Sequence, residues 1–153
     1  SDQVSERIWQ PMGAEKDASV LLDQSGMAVS SGGMSATALD LARFGVLLSN
    51  RGQIGERQVF PIEVVEEIAV GGQPEMDGLG GQPTRAGWSF HRQCWNMTQL
   101  MGAFMPMGVH GQRIFIHPGL ELVVVKLGSH PVTSNVVTDT THASLWRSLL
   151  ERC

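Results

Sequence analysis

Apolar positions in the N-terminal part of the chain recur at helical spacing, with short polar breaks between them. The strongest pattern predicts a helix over 36–50, with Ser35 as its N-cap. Apolar side chains cover more than one face of this helix, which predicts that it is buried on most sides. A second helix is predicted over 62–70, because Pro61 suits the first helical position, where a missing N–H costs nothing. Residues 1–70 are therefore predicted to be mainly helical.

The pattern changes over residues 87–128 to short apolar and aromatic runs, which are typical of antiparallel strands. The dipeptide Pro118-Gly119 is a strong turn signal between the last two runs. The final run, Leu120 to Leu127, contains consecutive β-branched residues. Such a run predicts a strand that is covered on both faces.

Two further segments complete the predicted architecture. The glycine-rich stretch 71–86 is predicted to be a surface loop. Residues 139–152 are predicted to form a C-terminal helix that Asp139 caps and whose apolar stripe faces the sheet. Helices, then strands, then a covering helix predict an α+β arrangement in one domain.

Composition and charge restrict the partners of the chain. Its 153 residues are 42% hydrophobic and 17% charged, which suits one globular domain with its own core. A net charge of −4 with scattered basic residues argues against binding to nucleic acid, whose phosphates require clustered Lys and Arg. No apolar run approaches the roughly 20 residues that cross a bilayer. We therefore predict a soluble chain with neither a nucleic-acid nor a membrane partner.

The cysteines and the first residues bear on localisation. Cys94 and Cys153 are too few for a structural zinc site or a disulfide scaffold, which favours reduced thiols in a cytoplasmic protein. Ser1 to Gln10 carries no targeting signal and resembles the interior of a longer protein. A periplasmic location stays open.

Metal and cofactor chemistry finds no support in the sequence. The histidines show no recognised ligand spacing, so no metal site is predicted. The glycines at 78, 80 and 81 are not followed by Lys-Ser or Lys-Thr, so no phosphate-binding loop and no cofactor are predicted.

Nucleophilic serine chemistry would need groups that this sequence lacks. No serine has a lysine three residues later, and there is no tyrosine to act as a general base. A G-x-S-x-G elbow is also absent. If the chain is part of a serine hydrolase, the nucleophile and both proton-handling groups lie outside these residues.

Several segments nevertheless resemble one family in order and spacing. Arg7 to Gly13 resembles the "ifxPLGM" segment of class C-like serine hydrolases, and 26–44 resembles their "aaGGlxsTaxDlaRF" signature. Residues 108–125 resemble the "GxxGQxIxvxPxxxlVVV" end of the nylon-oligomer (6-aminohexanoate-dimer) hydrolase branch. The sequence is identified as a C-terminal segment of this β-lactamase-like and penicillin-binding-protein-like family, with weak correspondence only over 71–85.

The resemblance implies the α+β fold of β-lactamases and transpeptidases and a serine hydrolase that cleaves an amide or ester through an acyl-enzyme. In this family a backbone N–H just beyond the third sheet strand forms half of the oxyanion hole. Matching Gly108 to the glycine of that motif makes the Val109 N–H the donor and places Gly108 and His110 at the substrate. For His110 a structural or solvent-facing role stays open. Pro106-Met107-Gly108 stands where Lys-Thr-Gly would, which removes the cation that meets a β-lactam carboxylate.

The resemblance also implies that the sheet of this chain is incomplete. The strand within Leu120 to Leu127 would have an open apolar edge, and such edges pair with other chains. We expect its own N-terminal portion, or a second chain, to complete the sheet and to supply the Ser, Lys and Tyr. The alternative is a non-catalytic ligand-binding or scaffold domain of the same fold. Alone, the chain is expected to be inert.

Overall fold

The structure is a computed structural model that describes residues 2–29, 32–72, 85–97 and 101–152. Most of the predicted loop 71–86 lies outside the described residues, as does Cys153. The described helices are α1 (Asp2–Val4, continued as a π-helical turn over Ser5–Trp9), α2 (Ala38–Ser49), α3 (Ile62–Val70) and α4 (Val136–Leu150). The described strands are β1 (Ser19–Val20), β2 (Met34–Ser35), β3 (Gln53–Ile54), β4 (Arg57–Gln58), β5 (Ser89–His91), β6 (Cys94–Met97), β7 (Ala103–Pro106), β8 (Arg113–His117) and β9 (Leu122–Lys126).

The central feature is a five-stranded antiparallel sheet in the order β5-β6-β7-β8-β9. Each strand pairs with the next one along the chain, so the sheet is a meander. A tight turn separates β5 from β6. Arg92 and Gln93 form this turn with left-handed φ angles of 49° and 65°. Helices packed on an antiparallel sheet confirm the predicted α+β class.

Alternating side chains of β8 contact two different hydrophobic clusters, one on each face of the sheet. Ile116 contacts the cluster that includes Leu48 of α2 and Val65 of α3. Phe115 contacts the other cluster and stacks on Trp146 of α4, with ring centroids 4.7 Å apart. The sheet therefore lies between α2 and α3 on one face and α4 on the other.

Strand β9 has side chains packed on both faces, as its β-branched sequence predicts. Val123 contacts the cluster beneath α2 and α3, and Val124 contacts the cluster beneath α4. Helix α2 comes so close that a Cβ atom on Gly45 would lie 2.5 Å from Val123. Within the described part of the chain, β9 hydrogen-bonds to β8 alone, so its outer edge is open. Its five residues are partly buried.

Helix α2 begins later than predicted, and Thr37 caps it, not Ser35. The Thr37 hydroxyl oxygen accepts a hydrogen bond from the N–H of Asp40 at 3.1 Å. Ser35 lies in β2, where it pairs with Ser19 in extended conformation. Pairing in a strand removes it from the capping position.

Asp40 is fully buried. Its carboxylate accepts hydrogen bonds from the Thr37 hydroxyl at 2.7 Å and from the N–H groups of Glu15 at 2.9 Å and Lys16 at 3.3 Å. Arg43 adds an ion pair at 2.8 Å. These contacts, the Thr37 hydroxyl first, lower the pKa of Asp40 against the opposing effect of burial. Asp40 therefore attaches the segment after α1 to the start of α2.

Replacing Asp40 tests this attachment through the pH dependence of stability. Because the folded-state pKa of Asp40 lies below its unfolded value of 3.8, its stabilisation is complete well above that value and is lost as the pH falls through the folded-state pKa. We expect Asp40→Asn to lower the free energy of unfolding at pH 7 and to flatten its decrease in acid. Urea denaturation between pH 7 and pH 3 measures both effects. The exposed Asp17→Asn variant is the control, and parallel pH profiles for wild type and Asp40→Asn would contradict the expectation.

Two observations bear on the predicted environment of the chain. Cys94 is a buried free thiol, and burial raises its pKa to about 12. Such a thiol is almost fully protonated and unreactive at neutral pH. Among the described residues, no helix combines the length and apolar character needed to cross a bilayer.

Candidate functional site

The three site residues predicted from the sequence, Gly108, Val109 and His110, lie together in the connection between β7 and β8. A single 3-10 turn, Val109–Gly111, occupies this connection. The N–H of Gly108 donates to the carbonyl of Gln112 at 3.0 Å and closes it. His110 and Gly111 have left-handed φ angles of 58° and 92°, which reverse the chain within a few residues.

Val109 lies at the surface of the described part of the chain, with 60% of the residue exposed. Its N–H makes no hydrogen bond to any described residue. An oxyanion donor must be fixed in place yet uncommitted to other acceptors. The position of Val109 meets this requirement, and its catalytic role stays a prediction.

His110 is attached to the segment that follows β9. Its ring Nδ1 lies 2.7 Å from the carbonyl oxygen of His130. A carbonyl can only accept, so Nδ1 carries the hydrogen. The main chain of His110 accepts from His130 N–H at 3.1 Å and donates to the carbonyl of Thr133 at 3.2 Å. These contacts support the structural alternative for His110, and contact with a substrate remains a prediction.

Gln112 and Lys126 hold the same turn from the β9 side. The side-chain oxygen of Gln112 accepts from the N–H of Gly128 at 3.0 Å, while its amide nitrogen donates to the Gly128 carbonyl. The Lys126 ammonium donates to the carbonyl of Gly111 at 3.1 Å and lies 3.1 Å from the His130 ring. A Cβ atom on Gly111 would lie 2.3 Å from that ring, so only glycine fits there. The turn is thus bonded to one neighbouring segment at several points.

A buried ion network attaches helix α4 to the start of β8. One carboxylate oxygen of Asp139 accepts from Arg113 Nη2, and the other accepts from Arg85 Nε. Both distances are 2.7 Å. Arg113 and Asp139 are almost completely inaccessible to solvent. The Arg85 guanidinium lies 4.1 Å from the ring centroid of Trp95, a cation–π distance. The N-terminal turn of α4 is therefore held beside the β7–β8 connection.

This network corrects the predicted start of the C-terminal helix. The helix begins at Val136, and Asp139 lies inside its first turn with its carboxylate directed to the arginines rather than capping the helix. A charged residue at the head of an otherwise apolar strand, Arg113, is the sequence signal that a buried partner is needed. The sequence does not show which carboxylate is that partner.

His142 of α4 packs beside the ion network and is held by its own helix. The Nδ1–H of His142 donates to the carbonyl of Thr138 at 2.8 Å, and the ring lies against Trp146. Burial, and after it the charge of Arg113, lower the pKa of His142. Among residues 2–29, 32–72, 85–97 and 101–152, no three His, Cys, Asp or Glu side chains come together as a metal site.

We expect Asp139→Asn to destabilise the fold by about 3–5 kcal/mol, because it leaves the buried charge of Arg113 without a counterion. Urea denaturation followed by circular dichroism measures the loss. The control is Thr140→Ala, which changes the exposed neighbour of Asp139 on α4 and should alter stability by no more than about 0.5 kcal/mol. A loss for Asp139→Asn as small as that of the control would show that the network does not hold α4 in place.

Comparison with known proteins agrees with the resemblance inferred from the sequence. No family model matches the chain. The 6-aminohexanoate-dimer hydrolase of Paenarthrobacter ureafaciens is 33% identical over 131 residues, which make up 85% of this chain and 33% of that protein. The solved structure of a Bacillus anthracis protein, provisionally named a 6-aminohexanoate-dimer hydrolase, superimposes with a TM-score of 0.83 at 32% identity.

The chain matches only part of the length of these relatives. The Bacillus anthracis structure covers 98% of this chain, whereas the chain covers 37% of that structure. The chain thus spans about a third of the length of the relatives it matches. The predicted resemblance to the 6-aminohexanoate-dimer hydrolase branch and the predicted fold are both confirmed.

Proposed function

We propose that this chain, which matches 6-aminohexanoate-dimer hydrolases in sequence and fold, is the C-terminal portion of a serine hydrolase that cleaves an amide or ester through an acyl-enzyme. The observation that carries the proposal is the backbone N–H of Val109, an exposed residue in the turn after β7, which makes no hydrogen bond to the described residues. In the proposed mechanism this N–H donates to the oxygen of the tetrahedral intermediate. The N–H of the nucleophilic serine is the second donor.

The chemistry divides between this chain and the rest of the hydrolase. The sequence contains no Ser-x-x-Lys and no tyrosine, so it supplies neither the nucleophile nor its bases. Its relatives are about three times as long as the part that matches. We assign the nucleophilic serine, the lysine and the tyrosine to an N-terminal portion. The serine hydroxyl attacks the carbonyl, the leaving amine or alcohol takes up the proton, and water then hydrolyses the acyl-enzyme.

The open edge of β9 supports an assembly in which the N-terminal portion completes the sheet. β9 pairs with β8 alone among the described strands, although side chains pack on both of its faces. Unpaired N–H and C=O groups along such an edge favour the addition of another strand. Pairing with a second copy of this chain is the competing assembly.

The substrate class follows from the charges near Val109. Pro106-Met107-Gly108 provides no cation at the position where a β-lactam carboxylate would be met. Two cations that border this turn are already engaged, since Lys126 donates to Gly111 and Arg113 pairs with Asp139. We therefore assign a small amide or ester without a carboxylate at that position.

Removing the Val109 N–H tests the proposal in the assembled hydrolase. Val109 opens a helical turn after an extended Gly108 (ψ 169°), so proline fits there and removes only the donor. We expect Val109→Pro to lower kcat by about 10²–10³-fold, as for loss of one oxyanion donor. Hydrolysis of the 6-aminohexanoate linear dimer and of a p-nitrophenyl ester provides the measurement.

Val109→Ala is the matched control, because it shortens the same side chain and keeps the N–H. Equal activity of the proline and alanine variants would exclude the oxyanion role. Fluorophosphonate labelling of the assembled protein separates a hydrolase from a binding domain. Failure to label a correctly assembled protein favours the non-catalytic alternative, and the isolated chain should neither label nor turn over substrate.

A further inference from the structure

The peptide group between Gly108 and Val109 has two ends, and the structure describes a contact at only one of them. The Val109 N–H is the proposed donor, and the Gly108 carbonyl is the opposite end of the same planar unit. The side-chain nitrogen of Asn135 donates to this carbonyl at 2.7 Å. Because the carbonyl and the N–H of a trans peptide point in opposite directions, holding one fixes the direction of the other.

The neighbouring peptides are held by main-chain hydrogen bonds. The N–H of Gly108 donates to Gln112, and the N–H of His110 donates to Thr133. Between these two anchors, Asn135 provides the one side-chain hydrogen bond to the Gly108–Val109 peptide within the described part of the chain. Asn135 therefore adds a side-chain restraint on the orientation of this peptide, beyond the main-chain bonds of its two neighbours.

The Asn135 side chain makes this contact and does not cap helix α4. It occupies the N-cap position of α4, where an asparagine oxygen normally accepts from an N–H of the first helical turn. No such bond is present, and Oδ1 is buried without a hydrogen-bond partner among the described residues. An unpaired buried acceptor is unfavourable, so the orientation of the amide is governed by the Gly108 contact.

From this geometry we infer that Asn135 is a positioning residue for the oxyanion donor: its side chain fixes the Gly108–Val109 peptide so that the Val109 N–H is directed away from α4. Asn135 contacts neither substrate nor reacting atoms in this role. The donated hydrogen bond also polarises the peptide, which makes its N–H a stronger donor. The catalytic part of the inference rests on the proposed function, whereas the structural part does not.

The test uses Asn135→Asp, which keeps the size of the side chain and replaces the donor nitrogen by an oxygen. Aspartate is itself a preferred N-cap residue, so helix α4 should remain folded. In this chain, NMR should show displaced resonances for the Gly108 carbonyl carbon and the Val109 amide. Asn50→Asp, at the end of α2 on the other face of the sheet, introduces the same charge as a control and should leave those resonances unchanged.

In the assembled hydrolase we expect Asn135→Asp to lower kcat by about tenfold or more with little change in KM, because a donor used only in the transition state has been misdirected. Unchanged Gly108 and Val109 resonances would overturn the inference in any case. Displaced resonances with an unchanged kcat, in a protein that Val109→Pro inactivates, would overturn the catalytic part and leave the proposed function standing. If Val109→Pro itself has no effect, the proposed function fails, and the catalytic part of the inference fails with it.

Discussion

The structure depends on one constraint: this five-stranded antiparallel sheet carries apolar side chains on both of its faces, so both faces must be covered. Helices α2 and α3 cover one face, and α4 covers the other, where Trp146 stacks on Phe115. Hydrophobic contact alone would allow α4 to slide along its apolar partners. The ion pair between Asp139 and Arg113 removes this freedom, because a buried charge separated from its counterion is strongly unfavourable. The ion pair therefore determines where α4 begins relative to the sheet.

The same ion pair determines the geometry of the candidate site. Asn135 precedes Asp139 by one helical turn, so both side chains lie on the same face of the start of α4. Asp139 binds the first residue of β8, and Asn135 binds the Gly108 carbonyl just before that strand. On the other side, Gln112 joins the turn to Gly128. The Val109 amide is thus positioned by contacts from two separate segments, while its own N–H is left uncommitted within the described residues.

The local parts of this arrangement could be predicted from the sequence, and the long-range parts could not. The strand pattern and the motif around Gly108 and Val109 are each contiguous in the sequence, so periodicity predicts the strands and the resemblance predicts the motif. The partner of Arg113 is a carboxylate 26 residues away, and no spacing rule links the two. Asp139 has the sequence signature of a helix cap and a different role in the structure. The choice of Thr37 over Ser35 as cap depends on the pairing of Ser35 with Ser19, which is a tertiary contact.

The oxyanion role of the Val109 N–H is tested most directly by a crystal structure of the assembled hydrolase with a phosphonate bound to its nucleophile, since the phosphoryl oxygen imitates the oxyanion. We expect this oxygen to lie about 2.7–3.1 Å from the Val109 nitrogen. We also expect Asn135 still to donate to the Gly108 carbonyl on the far side of the same peptide. A phosphoryl oxygen beyond hydrogen-bonding distance of Val109, with its donors supplied by other groups, would contradict this role of Val109.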